Sequence, residues 1–268
     1  MPTQSAKAER FRELHEGAFV IANAWDGGSA RILAGLGFPA LATSSGACAA
    51  TLGRRDGFVT RDEALEHARL VVESTDLPVS ADLERCFADE PTPAAETIRL
   101  AADVGLVGGS IEDATRTKVY DFEDAVERVA AAARVARSLS FPFMLTARSE
   151  NFLRGKADLD DTIKRLQAFE KAGADVLMAP GLPDLESVRK VCASLKKPFN
   201  FMAGIKGKSF SVEELKAAGV RRISLATSLY RMAVTGLMEA AREVKEKGTF
   251  AYLERSLPTA EISKYLRE

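Results

Sequence analysis

Phe143-Met144-Leu145-Thr146-Ala147-Arg148, a helical stretch over 158–172, and Gly173-Ala174-Asp175-Val176-Leu177-Met178 together form the passage that decides the fold. A short apolar run ending on a charge predicts a buried strand, and the longer amphipathic stretch over 158–172 predicts a helix. Gly173 supplies the left-handed residue that ends such a helix just before the next strand. Two short strands joined by a crossover helix become parallel neighbours in one sheet.

The same unit recurs outward in both directions. Strands are expected at 19–22, 40–43, 78–82, 106–111, 143–148, 175–178, 199–202 and 222–225. The helices expected between them cover 29–36, 61–74, 93–102, 122–138, 158–172, 185–195 and 212–218, and the segment 44–60 reads as a long loop able to wall or cover a site. Glycines in Ala34-Gly35-Leu36-Gly37 and Ala218-Gly219-Val220 mark helix ends as Gly173 does. Eight β/α passages predict an α/β fold of the TIM type, a (β/α)8 barrel with its site at the carboxyl ends of the strands. An open doubly wound sheet would place a GxGxxG turn after its first strand. Here that turn reads Asn23-Ala24-Trp25-Asp26-Gly27-Gly28-Ser29, which lacks the spacing.

The chain of 268 residues contains no long Pro/Gly/Ser tract, so residues 1–268 read as one barrel domain, with 249–268 as a C-terminal helical tail after a helix at 228–246. With 37 Lys and Arg against 38 Asp and Glu, no broad positive surface exists for a nucleic-acid backbone, and short pairs such as Arg221-Arg222 do not change that. Three widely spaced cysteines and two histidines argue against structural zinc. The sequence shows neither a secretory apolar region nor a membrane span, so a cytoplasmic protein acting on a small molecule is expected.

Polar residues gather where the expected strands end. Asp82 and Glu84 follow the third strand, Glu112 and Asp113 the fourth, and Arg148 closes the fifth, while Ser44-Ser45-Gly46 follows the second and Asp56 lies in its long loop. Converging carboxylates repel one another unless a cation compensates them, and Mg2+ prefers oxygen ligands. Asp82, Glu84, Glu112 and Asp113 are therefore the candidate metal residues. Asp56, Glu112 and Arg148 are the candidate catalytic residues, and Ser44, Ser45, Gly46 and Arg148 the candidate carboxylate-binding residues. Each has a plainer structural reading: Asp82 can cap a turn, Asp113 can cap a helix, Glu84 can face solvent, and Asp56 can pair with Arg54 or Arg55. Cys48 has no histidine base nearby in sequence and reads as inert.

In their order, Ser44-Ser45-Gly46, Gly53-Arg54-Arg55-Asp56, Asp82-Leu83-Glu84, Ile111-Glu112-Asp113 and Thr146-Ala147-Arg148 resemble the isocitrate lyase/phosphoenolpyruvate mutase superfamily over about 19–237. The resemblance implies a magnesium-dependent barrel acting on small α-oxo or hydroxy carboxylates through an enolate-like intermediate. It also implies that Asp82 and Glu84 stand at the metal, that Glu112 bonds metal-bound water, that Arg148 orients the substrate, and that Asp56 rides a gating loop. A homodimer or homotetramer exchanging a terminal helix is implied as well. The lyase branch's Lys-Lys/Arg-Cys-Gly-His motif is absent: the segment reads Ala114-Thr115-Arg116-Thr117-Lys118. A lyase or decarboxylase-like reaction is the leading expectation. A phosphoenolpyruvate/phosphonopyruvate mutase or phosphonopyruvate hydrolase comes second, and a non-enzymatic metabolite-binding barrel third. The loop 114–121 is expected to govern specificity together with Asp56. The loop Glu84-Arg85-Cys86-Phe87-Ala88 carries Cys86 and Ala88 where the family favours glycine.

Overall fold

The computed structural model describes residues 2–267. Its eight strands are β1 (Phe19–Asn23), β2 (Leu41–Ala42), β3 (Val79–Ala81), β4 (Gly108–Glu112), β5 (Met144–Arg148), β6 (Val176–Met178), β7 (Phe199–Met202) and β8 (Arg222–Ser224). They pair in parallel and in chain order, and β8 returns to β1 through Phe19↔Arg222 and Ile21↔Ser224, so the barrel is closed. The (β/α)8 architecture expected from the sequence is the one observed.

Alternation along β5 shows how the barrel is built. Leu145 and Ala147 face outward into the main apolar layer, which they share with Leu166 and Phe169 of the helix after β5. Met144, Thr146 and Arg148 face the barrel axis at three successive levels. Met144 joins Phe11, Phe19, Ile21, Val107 and Val176 in an apolar plug at the amino-terminal end. Thr146 stands at a polar middle level, and Arg148 stands at the mouth.

Helices α1 (Gln4–Leu14), α2 (Gly27–Gly35), α3 (Ser45–Thr51), α4 (Arg61–Glu73), α5 (Pro91–Asp103), α6 (Phe122–Ser138), α7 (Leu159–Ala172), α8 (Leu185–Ala193) and α9 (Val212–Ala217) surround the strands. Gly173 ends α7 at φ 111°, the left-handed geometry its position predicts. Two of these helices lie outside the sequence reading. α1 caps the amino-terminal end through Ala8 and Phe11. α3 occupies the first part of what reads as one loop from Ser44 to Thr60. After β8 come α10 (Ser228–Lys247), ended by Gly248 in left-handed geometry, and α11 (Thr259–Ser263) in the tail. No helix among the described residues is long and apolar enough to cross a membrane.

Candidate active site

A cavity of about 60 Å³ opens at the carboxyl ends of the strands and runs down the barrel axis. Asp82 and Arg148 form its upper wall, with Thr43 and Ser110; Thr146, Asn200 and Arg222 lie deeper. Asp82 Oδ2 accepts the Ser45 backbone N–H at 3.2 Å and the Ser45 hydroxyl at 3.0 Å, where α3 begins. Asp82 Oδ1 accepts the Glu84 backbone N–H at 3.3 Å and Arg148 Nη1 at 3.2 Å. Arg148 Nη1 also lies 3.0 Å from Glu112 Oε1, while its Nε and Nη2 reach Glu150 Oε1 at 3.0 and 2.8 Å. One buried guanidinium thus gathers three carboxylates.

The excess of negative charge marks the mouth. Burial pushes the Glu84 carboxyl up to about 7, and the charges of Asp82 and Asp56 add to the shift. Glu112 is held well above the ordinary carboxylate range, chiefly by burial; the pull of Arg148 does not cancel it or the repulsion from Glu150 and Asp82. Asp56 is raised by burial and then by Asp82, partly offset by the Ser45 hydroxyl. Among the described residues no three Asp, Glu, His or Cys side chains converge closely enough to hold an ion unaided. A hard ion that keeps most of its waters needs only one or two carboxylates. The oxygen donors of Asp82, Glu84 and Glu112 fit such an ion.

Asp82, Glu84, Glu112, Arg148, Ser45 and Asp56 therefore meet around one mouth. Gly46 closes the set: a Cβ there would lie 3.3 Å from Asp56 Oδ2 and 3.0 Å from Thr227 Cγ2. Ser44 stands one residue back, buried, beside a small cleft lined by Ser45, Cys48, His67 and Glu84. Asp113 is placed elsewhere. Its Oδ1 accepts the Glu150 backbone N–H at 2.8 Å and its Oδ2 meets Arg165 Nη1 at 3.2 Å, so it faces away from the carboxylates gathered by Arg148. The Cys48 thiol is pushed up to about 11 by burial and the surrounding acids.

Glu150 and the deeper polar residues Thr146, Asn200 and Arg222 lie outside the set read from the sequence. The available signal was a polar residue at an inward position of an otherwise apolar strand, as in Phe199-Asn200-Phe201-Met202. The loop after β3 keeps the backbone that glycine would allow: Glu84, Cys86 and Phe87 all have φ between 51° and 59°. Such residues cost about 1–2 kcal/mol each, and Glu84 is one of the site's own acids.

The chain is similar to known proteins over most of its length. The family model described as phosphoenolpyruvate phosphomutase matches residues 11–245. A candidate lyase/mutase of Burkholderia cenocepacia has a solved structure that superposes with a TM-score of 0.95 at 48% identity, over 98% of this chain and 96% of that one. A 2,3-dimethylmalate lyase superposes at 0.86 with 26% identity, over 99% and 95%. Oxaloacetate decarboxylase 2 of Pseudomonas fluorescens is 30% identical over 253 residues, covering 91% of this chain and 84% of the relative.

Proposed function

Because the chain belongs to the phosphoenolpyruvate mutase/isocitrate lyase superfamily, we propose that it is a magnesium-dependent enzyme that cleaves a carbon–carbon bond of a small α-oxo or hydroxy carboxylate, most simply by decarboxylation. The observation that carries this reading is the gathering of Asp82, Glu112 and Glu150 on Arg148 at the mouth of a small axial cavity.

Asp82, with Glu84 and Glu112 through water, would hold the ion, which when bound neutralises the negative charge that develops on an oxo-acid oxygen. The chain's own groups do the rest. Two N–H groups of Arg148 donate to Glu150 and Asp82, and ion pairs to Glu112 and Glu150 hold the guanidinium further, which fixes it in place with donors to spare for a substrate oxygen. The rigid donor adds electrostatic stabilisation as the carbon–carbon bond breaks and its electron pair moves into the oxo group. Asp56, whose carboxyl is raised by desolvation and by Asp82, would hold the proton that the resulting enolate carbon takes up.

Decarboxylation is favoured over retro-aldol cleavage by what 114–121 contains. No thiol or imidazole stands there, and the Cys48 thiol is too basic to serve as a ready acid. The decarboxylase activity of the Pseudomonas relative supports the same choice.

The test is product detection across a panel of small oxo- and hydroxy-acids, phosphonopyruvate included, with Mg2+ present. Carbon–carbon cleavage by the wild type, with kcat/KM reduced at least 100-fold in folded Asp82→Asn and Arg148→Met, is the expected result. Cleavage of phosphonopyruvate alone would point to carbon–phosphorus chemistry, and binding without any product to a metabolite-binding barrel.

A further inference from the structure

Arg222 is the first residue of β8, and its guanidinium crosses the barrel axis below the level of Arg148. Its Nε donates to Asn200 Oδ1 at 3.0 Å, and its Nη2 donates to Thr146 Oγ1 at 2.7 Å on the opposite wall. Its Nη1 is buried and has no partner. The residue is 5% exposed and lines the same cavity as Asp82 and Arg148. Among the described residues no carboxylate pairs with it, and burial alone lowers its pKa to about 9. Buried charges are ordinarily paired. The contrast with Arg148, which holds three carboxylates one level above, could hardly be larger.

We propose that Arg222 is the anion-recognition residue of this site and sets its substrate class: small oxo-acids that carry a second carboxylate directed down the barrel axis. The inference rests on the oxo-acid reading given above and extends it. Asn200 and Thr146 hold the guanidinium at a fixed height through neutral acceptors, so its charge is left for a ligand. The cavity above it admits a carboxylate: about 60 Å³ is several times the 10–15 Å³ that one water needs on this measure. A buried cation left without its partner penalises any ligand that cannot supply the anion, which is how a polar site rejects a close analogue.

The matched probes are pyruvate and 2-oxomalonate, in which a carboxylate replaces the methyl group. Their dissociation constants are measured calorimetrically with Mg2+ present, on the wild type, Arg222→Met, Arg222→Lys and Arg148→Met. The wild type is expected to prefer 2-oxomalonate at least tenfold. Arg222→Met should abolish that preference while leaving pyruvate affinity within threefold, and Arg222→Lys should restore part of it. The melting temperature of Arg222→Met should change little, since relief of an unpaired buried charge offsets the donors lost to Asn200 and Thr146. A preference that survives in Arg222→Met, or a lower melting temperature with an unchanged ratio, would make Arg222 a structural strut and overturn the proposal. Wild-type binding of both probes without preference, lost in Arg148→Met, would overturn the role of Arg222 alone. Binding of neither probe would overturn the oxo-acid reading and this inference with it.

Discussion

Glu112 and Asp113 are adjacent in sequence and serve different arginines. Successive residues of an extended segment point to opposite sides, so when Glu112 turns toward Arg148, Asp113 turns toward Arg165. A sequence reading that assigns both acids to one metal overlooks that alternation. Asp113 is 2% exposed, and burial pushes its carboxyl up to about 6 against the opposing Glu150 backbone N–H and Arg165. Its partner Arg165 is shared with Asp161 at 3.0 Å. Asp113→Ala should therefore act on stability: removing one member of a buried pair costs about 3–5 kcal/mol, with the lower end expected because Asp161 remains. A fall in melting temperature of roughly 5–10 °C should accompany it, while affinity for 2-oxomalonate in the folded fraction stays within a few-fold of wild type. Intact stability with lost Mg2+-dependent binding would return Asp113 to the metal set.

At the scale of elements, the loops 53–58 and 114–119 meet beside Glu84. The Arg116 guanidinium stacks on the Phe58 ring, 4.2 Å from its centroid, and Gly57 at φ 78° lets the two loops touch: a Cβ there would sit 2.7 Å from Arg116 Cδ. The second loop is itself held by the Ala114–Val119 bridge and by Arg154 Nε donating to Thr115 O at 2.9 Å. Phe58 is 58% exposed, so this cation–π contact is worth about 0.5–1 kcal/mol, enough to shift a lid equilibrium two- to fivefold. Arg116→Ala should speed trypsin cleavage at the exposed Arg54 and Arg55 by that factor and raise KM with little change in kcat; unchanged cleavage would show that the loops close independently. The strands and their helices were legible in the sequence because buried parallel strands and amphipathic helices leave strong periodic patterns. α3 was not, because Ser45-Gly46-Ala47-Cys48-Ala49-Ala50-Thr51 is short and built of small residues with no apolar stripe. α1 escaped too, since its buried side is only Lys7, Ala8 and Phe11. The mouth was legible because charges at strand ends stand out against apolar runs. Thr146, Asn200 and Arg222 were missed because inward-facing polar residues inside a strand become visible only once the register is known.

For the molecule as a whole, α10 poses the remaining question, because none of its side chains is buried. Met232 and Leu237 are each 67% exposed, and Met238 is exposed on the same helix. Phe250, Leu253 and Leu257 extend the apolar surface into the tail. Trp25 against Tyr230, with ring centroids 5.6 Å apart, ties the start of the helix to the barrel, and Tyr265 packs on Gly35 of α2. The helix between these anchors presents an apolar face of the kind that marks an interface with another chain. We expect a homo-oligomer in which α10 and the tail pack on a second copy. Burying each leucine or methionine is worth about 1.5–3 kcal/mol, and in a symmetric pair every residue counts twice. Leu237→Glu with Met238→Glu should then weaken association by more than 100-fold, and a chain ending at Gly248 should also lose mass by light scattering. Activity should fall with assembly, because Thr227 immediately precedes α10 and its Cγ2 would lie 3.0 Å from a Cβ on Gly46, so a displaced helix disturbs the turn that presents Ser45 to Asp82. A wild-type monomer in solution would refute the assembly. An oligomer of unchanged mass after both alterations would place the interface on another face and leave the apolar side of α10 unexplained.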